Sequence, residues 1–196
     1  MRRCILASAS PRRREILKNL GVPFEVFVSD VNEDSELTDA CLLSEELSAR
    51  KGRAARDRLL SEGRRLDGLL LIASDTTVAV EEEILGKPTD AEDAKRMLRL
   101  WAGGTHRVVS GIWLCLDGKE AVSHAVTEVE FAPMSEEEIE YYIQTGEPFG
   151  KAGAYAIQGI ASAWIRGIRG DYFNVVGLPV NRMCELFSEN FGEKFL

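Results

Sequence analysis

Histidine is scarce in this chain, which carries only His106 and His124, and the scarcity removes whole chemistries. A serine–histidine triad lacks partners, no GxSxG elbow is present, and no His-rich segment can build a zinc site. Cys4, Cys41, Cys115 and Cys184 stand far apart with no CxxC pair, so they read as reduced thiols rather than as a disulfide framework or metal clip. Long apolar runs are missing too, since no segment approaches the roughly 20 residues a membrane helix needs. Met1-Arg2-Arg3 followed by Ala7-Ser8-Ala9 imitates a secretory leader, but the apolar stretch between them is too short and an arginine run follows. The expectation is a cytosolic protein. Positive charge is in deficit, with 24 Lys and Arg against 32 acids and a formal charge of −8. That balance, with no interleaving of aromatic and basic residues, argues against binding an extended nucleic acid.

What remains is an ordinary globular composition, 45% hydrophobic and 29% charged over 196 residues, enough to bury a substantial core in one domain spanning 1–196. Cys4 to Ala7 reads as a strand feeding a helix capped by Ser10, with Pro11 at its first position and Gly21 at its end. A second strand is expected from Val22 to Val28, an acidic loop from Asp30 to Asp39, and a helix from Leu43 to Leu60. Leu69 to Ala73 is an unbroken apolar run of the kind a fully buried strand shows, stopping at Ser74-Asp75-Thr76-Thr77. Val78 to Val80 and Ile84-Leu85 flank a solvated turn. Thr89 and Glu92 form a capping box for a helix through Trp101, and Asp117-Gly118 marks a hairpin between two long alternating strands. Ser135 and Glu138 cap a further helix, the Gly- and Ala-rich stretch from Gly150 to Gly159 is a loop or broken helix, and Leu178-Pro179 opens the last helix. The order β-α-β-α-β-β-α-β-β-α-α predicts an α/β protein with a mixed sheet, helices on its faces, and a cleft between two lobes.

Arg12, Arg13 and Arg14 occupy the first turn of a helix, where each cation costs about 0.3–1 kcal/mol against the helix dipole. The free N–H groups of that turn and the hydroxyls of Ser8 and Ser10 suit an anion. The alternative is a solvated basic face. Lys51 lies on the row Leu43, Leu47, Ala55, Leu59, so its ammonium rises from an inward stripe and either snorkels to solvent or meets a bound anion. Asp75, directly after a buried strand, is a candidate base or metal ligand, or else a turn aspartate satisfied by its neighbours. Glu33 in the acidic loop is the candidate second carboxylate. Gly86-Lys87-Pro88-Thr89 imitates the end of a P-loop, but the leading glycine position is Glu81 and Pro88 intrudes.

The segments Leu6 to Arg13, Ser74 to Val78, Gly86-Lys87-Pro88, Lys151 to Gly159 and Asn174 to Pro179 together resemble the Maf family of nucleotide pyrophosphatases, in order and over nearly the whole chain. The resemblance implies an elongated α/β fold like that of inosine triphosphate pyrophosphatase, a site in the cleft between lobes, and a homodimer. It implies that Asp75 accepts a proton, that Arg13, Thr76 and Gln158 discriminate substrates, and that Ser8, Arg12, Glu33, Lys51, Lys87 and Lys151 line the cleft. Many members carry an acid before the lysine where this chain has Gly150. The expected reaction is hydrolysis of dTTP and UTP to monophosphate and pyrophosphate, with Mg2+ or Mn2+ held by Glu33 and Asp75 and the nucleotide as the small-molecule partner. Two rival readings are the family branch acting on 7-methyl-GTP, where glutamate would replace Gln158, and a non-enzymatic nucleic-acid-binding regulator of septum formation.

Overall fold

The computed structural model describes residues 3–196; Met1 and Arg2 of the basic opening lie outside the described residues. The elements run β1 (Cys4–Leu6), α1 (Pro11–Asn19), β2 (Phe24–Val26), α2 (Ala40–Ser61), β3 (Leu70–Val80), β4 (Glu83–Leu85), α3 (Ala91–Trp101), β5 (Thr105–Leu116), β6 (Lys119–Phe131), α4 (Glu136–Gln144), β7 (Ile165–Arg169), α5 (Tyr172–Val176) and α6 (Val180–Phe191). They build one seven-stranded sheet in the order β2-β1-β3-β5-β6-β7, with β4 paired to β3. β1 lies parallel to β2 and β3, and the remaining pairs are antiparallel. The fold is mixed α/β.

Local chemistry explains most boundaries. Asp117 and Gly118 both take positive φ, 50° and 82°, as the tight β5–β6 turn requires. Ser135 and Glu138 form the reciprocal capping box of α4. Elsewhere the caps differ from expectation. α2 starts earlier than Leu43 because the Asp39 carboxylate accepts from the N–H groups of Cys41 and Leu42. α3 is capped by Asp90, which accepts from Asp93 N, while Thr89 N donates to Asp93. The cap therefore falls on Asp90 instead of Thr89, and Glu92 takes no part in it. β2 is shorter than the expected Val22 to Val28, and β7 and α5 were not expected from the pattern at all.

The largest departure is β3. It does not end at Ala73 but runs through Ser74-Asp75-Thr76-Thr77 to Val80, paired with β5 from Leu70↔Leu116 to Ala79↔Arg107. Ser74, Asp75 and Thr76 are tolerated in this strand because their side chains find partners there. On its other edge β3 pairs with β1 only as far as Ile72, and β4 takes over at Val78. Between those points that edge carries no strand.

Side chains alternate across the sheet. One face sets Ala7, Leu71, Ala73 and Trp113 under Ala49, Ala55 and Leu59 of α2. The opposite face buries Leu6, Leu70, Ile72, Ile112 and Leu114 against α1 and α6. Further along it, Val78, Val108 and Phe131 pack against α3 and α4. Two cores on one face therefore flank a gap, and Ile157 packs against both.

The α2 face is unusually tight. A Cβ on Gly52 would stand 2.1 Å from the Trp113 ring, and one on Gly111 would stand 2.0 Å from the Ser44 carbonyl oxygen. Gly52→Ala should therefore lose about 1–3 kcal/mol by overpacking, outweighing the gain of ~1 kcal/mol that alanine brings to a helix interior. Urea unfolding of the two proteins measures the difference; an equal or more stable variant contradicts the close approach.

Candidate functional site

The unpaired stretch of β3 lets groups from both faces meet. Asp75 shares a face with the α2 core, and there Lys51 Nζ donates to Asp75 Oδ1 at 2.5 Å and reaches Glu33 Oε1 at 3.0 Å. The Lys51 ammonium is thus turned inward and shared by two carboxylates. Burial alone would raise the Glu33 carboxyl, but the hydrogen bond and charge of Lys51, with Lys87 and Arg13 nearby, hold it below the usual range. Lys87 is exposed beside it.

Thr76 points to the opposite face. Arg13 is anchored there by three bonds, from Nε to the Gly177 carbonyl at 2.7 Å, Nη1 to Ser8 Oγ at 3.0 Å and Nη2 to Thr76 Oγ1 at 3.1 Å. Burial lowers the Arg13 pKa, while the charges of Asp75 and Glu33 oppose that shift. Ser8 Oγ accepts from Arg13 and from Ser10 N, so its own proton is free for an acceptor in the cleft. Ser10 sits at the N-cap of α1 without a side-chain cap bond. The first-turn N–H groups of Arg12 and Arg13 thus lack the side-chain partner that an N-cap usually supplies. The arginine run separates three ways: Arg13 is half-buried and held by its three bonds, Arg14 turns back to the Ala9 carbonyl at 2.8 Å, and Arg12 stands half-buried near Lys151.

A third segment closes the site. Gly153 N bonds Gly86 O at 3.0 Å, which sets the Lys87 and Lys151 loops side by side. Gly153 takes φ 68° with Val78 only 2.8 Å from where a Cβ would be, so no other residue fits. Burial, then Arg12, lowers the Lys151 pKa against the pull of Glu147. Gln158 lies exposed in a turn, with no hydrogen bond among the described residues.

Several contributors carried little sequence signal. Glu147 accepts from Tyr142 Oη at 2.8 Å and from Ile160 N at 2.9 Å, bracing the turn after Gln158. A Cβ on Gly159 would lie 2.2 Å from the Glu147 carboxylate, so any side chain there would push that acid off the turn it braces. Ser110 and Asn174, both fully buried, tie Thr76 to the Asn174–Pro179 segment. Ser110 left a trace: it interrupts the apolar row between Val108 and Ile112 on β5.

No group of three or more His, Cys, Asp or Glu residues among those described could hold a metal. Asp75 and Glu33 nonetheless converge on one cation, the Lys51 ammonium, and two carboxylates suffice for Mg2+ when substrate phosphates complete its shell. The donor set fits an ion shared with a triphosphate and does not fit an all-protein cage.

Fold and site together define a mixed α/β protein with a cation-rich cleft, bearing two carboxylates, at an interrupted sheet edge. Residues 3–190 match the family described as Maf-like protein, and the chain belongs to that family. Relatives named dTTP/UTP pyrophosphatase occur in Symbiobacterium thermophilum (44% identical, over 96% of this chain and 94% of that one), Desulforamulus reducens (46%, over 94% and 95%) and Thermococcus onnurineus (44%, over 96% and 98%). Among solved structures, the Staphylococcus aureus Ham1 protein aligns with a TM-score of 0.47 and 18% identity over 66% of this chain and 72% of that one.

The Lys151–Gln158 segment hangs on an aromatic cluster. Trp101 Nε1 donates to Gly153 O at 3.0 Å, and His106 Nε2 bonds Tyr155 Oη at 2.8 Å. Burial pushes the His106 pKa from 6.5 down to about 4. Between those values the unfolded imidazole binds the proton and the folded one does not, so this contribution is intact above pH 6.5 and is lost as pH falls toward 4. The loss should approach ~3 kcal/mol. Urea midpoints measured across this range for wild type and His106→Gln, which keeps a partner for Tyr155 but cannot titrate, should diverge; parallel curves would disprove the assignment.

Proposed function

We propose that the chain is a nucleoside triphosphate pyrophosphatase that hydrolyses dTTP and UTP to the monophosphate and pyrophosphate, and so clears nucleotides from the cytoplasmic pool. The observation that carries this is the junction at one interrupted sheet edge of a half-buried, triply anchored Arg13 with the Lys51–Asp75–Glu33 cluster. Relatives at 44–46% identity over nearly their full lengths bear that activity in their names. The four free cysteines agree with a reducing compartment, and no helix among the described residues is long and apolar enough to cross a membrane.

Arg12, Lys87 and Lys151, with the first-turn N–H groups of α1 and the free Ser8 proton, receive the phosphate chain. Asp75 accepts the proton of the attacking water as its oxygen bonds to the α-phosphorus. The α–β bridging oxygen leaves with pyrophosphate, whose charge Lys87 and Lys151 meet. Lys51, fixed between Asp75 and Glu33, orients both carboxylates. A divalent ion, Mg2+ or Mn2+, held by Asp75 and Glu33 would neutralise further phosphate charge. Arg13, Thr76 and Gln158 read the base, and the Gln158 amide has both its donors and its acceptor free for the task.

Asp75→Asn should lower kcat by about 10²–10⁴-fold with the fold intact, because Lys51 keeps Glu33 as its partner. Product analysis on a panel of triphosphates with Mg2+ measures this; near-normal turnover would remove Asp75 from the chemistry. Gln158→Glu exchanges an amide for a group that only accepts, setting a carboxylate against the pyrimidine O4. The UTP to 7-methyl-GTP ratio of kcat/KM should then fall by roughly 10²-fold. A ratio that stays put would mean Gln158 does not read the base.

A further inference from the structure

Thr76 is the one part-exposed residue in the middle of β3, between the fully covered Asp75 and Thr77. Its hydroxyl accepts from Arg13 Nη2 at 3.1 Å and lies 2.9 Å from Ser110 Oγ, directly opposite on β5. Either oxygen could donate in that second contact, but the surroundings decide the direction. Ser110 has one proton, and it is given to the Asn174 carbonyl at 2.8 Å. Ser110 can therefore only accept from Thr76, and the Thr76 proton is turned away from the cleft. Asn174 holds Ser110 in place, taking its N–H at Oδ1 at 3.0 Å and donating from Nδ2 to Val108 O and Thr127 Oγ1, both at 2.9 Å. Ser110, Asn174 and Thr127 are fully buried, so no water competes for the bonds among them.

The consequence at the cleft is chemical. Thr76 offers a lone pair and no proton, while Arg13 beside it has spent three of its N–H groups and keeps two on Nη1 and Nη2. A donor thus stands next to an obligate acceptor. Its complement is a carbonyl oxygen next to an N–H, the N3 edge of uracil and thymine. Held in the register that sets uracil O4 against Arg13 and N3–H against Thr76, cytosine would set its N4 amino group against the Arg13 donor and its bare N3 against the Thr76 lone pair.

We propose that Ser110, held by Asn174, is a positioning residue that fixes Thr76 as an acceptor and thereby selects uracil and thymine over cytosine. This rests on the pyrimidine nucleotide reading given above. The test compares UTP with CTP, by kcat/KM and by calorimetric binding of their non-hydrolysable α,β-methylene analogues, in wild type, Ser110→Ala, Thr76→Val and the double variant. Ser110→Ala frees the Thr76 proton to meet cytosine N3, while the Asn174 carbonyl keeps Gly177 N as a donor at 3.1 Å. The UTP preference should fall by about tenfold, chiefly through a gain in CTP affinity. In the Thr76→Val background the same substitution should leave the preference where it was. Ser110→Cys, which keeps the volume but accepts weakly, should move it in the same direction and carries the test if Ser110→Ala does not fold. An unmoved ratio in a UTP-selective enzyme, or a change that persists without the Thr76 hydroxyl, overturns the relay alone. A wild type without UTP preference removes the pyrimidine reading and this proposal with it.

Discussion

The distance between α2 and the sheet governs this molecule. Gly52 lies against the face of Trp113 and Gly111 beneath the Ser44 carbonyl, so helix and strand approach more closely than any side chain would allow. Lys51 precedes Gly52 on that helix, and its stem is just long enough to bring the ammonium between Asp75 and Glu33. Arg53 and Arg56 clasp Glu120 at the far end of the same contact, and Glu120 also accepts from Trp113 Nε1. The ring that requires Gly52 is therefore itself pinned to α2 through a shared carboxylate. Moving the helix outward by a methyl group would separate the charges on which the cleft depends, whatever the rest of the fold did.

Once that spacing is set, the interrupted edge of β3 does the remaining organisation. A sheet normally screens its two faces from one another, because each strand is hydrogen-bonded on both sides. Here β1 leaves at Leu6 and β4 arrives only at Val78, so the opening lies between Asp75 on one face and Arg13 on the other, and the Asp75 charge opposes the effect of burial on Arg13. The acid cluster and the arginine anchor belong to different packing layers yet serve one pocket. Backbone groups fill the seam: the Gly177 carbonyl accepts from both Arg13 and Ser74.

Much of this was legible in the chain. The apolar run into Asp75, the inward row carrying Lys51 and the arginines before Ile16 and Leu17 all follow from periodicity, and the structure brings the corresponding side chains together. Periodicity failed where satisfaction of polar groups depends on distant partners. Ser74 to Thr77 looks like a strand end because four polar residues in a row seldom survive burial; nothing local reveals that Lys51, Gly177, Arg13 and Ser110 await them. Asn174 makes its bonds to residues 64 or more positions away on β5 and 47 away on β6. β7 and α5 were invisible for another reason: five residues each are too few for a period to declare itself. Gln158 illustrates the opposite limit, a residue flagged only by resemblance that the fold leaves exposed and unbonded.

The uninterrupted pairing of β3 with β5 has a mechanical meaning. Both strands pass beneath the two cores that flank the cleft, joined residue by residue from Leu70 to Ala79, so the walls of the pocket share a single stiff floor. A hinge would need a place to bend, and bending there would break a ladder of buried hydrogen bonds. The walls are fixed jaws. Selectivity in such a device is machined into the jaws beforehand, by side chains that this floor already holds in place.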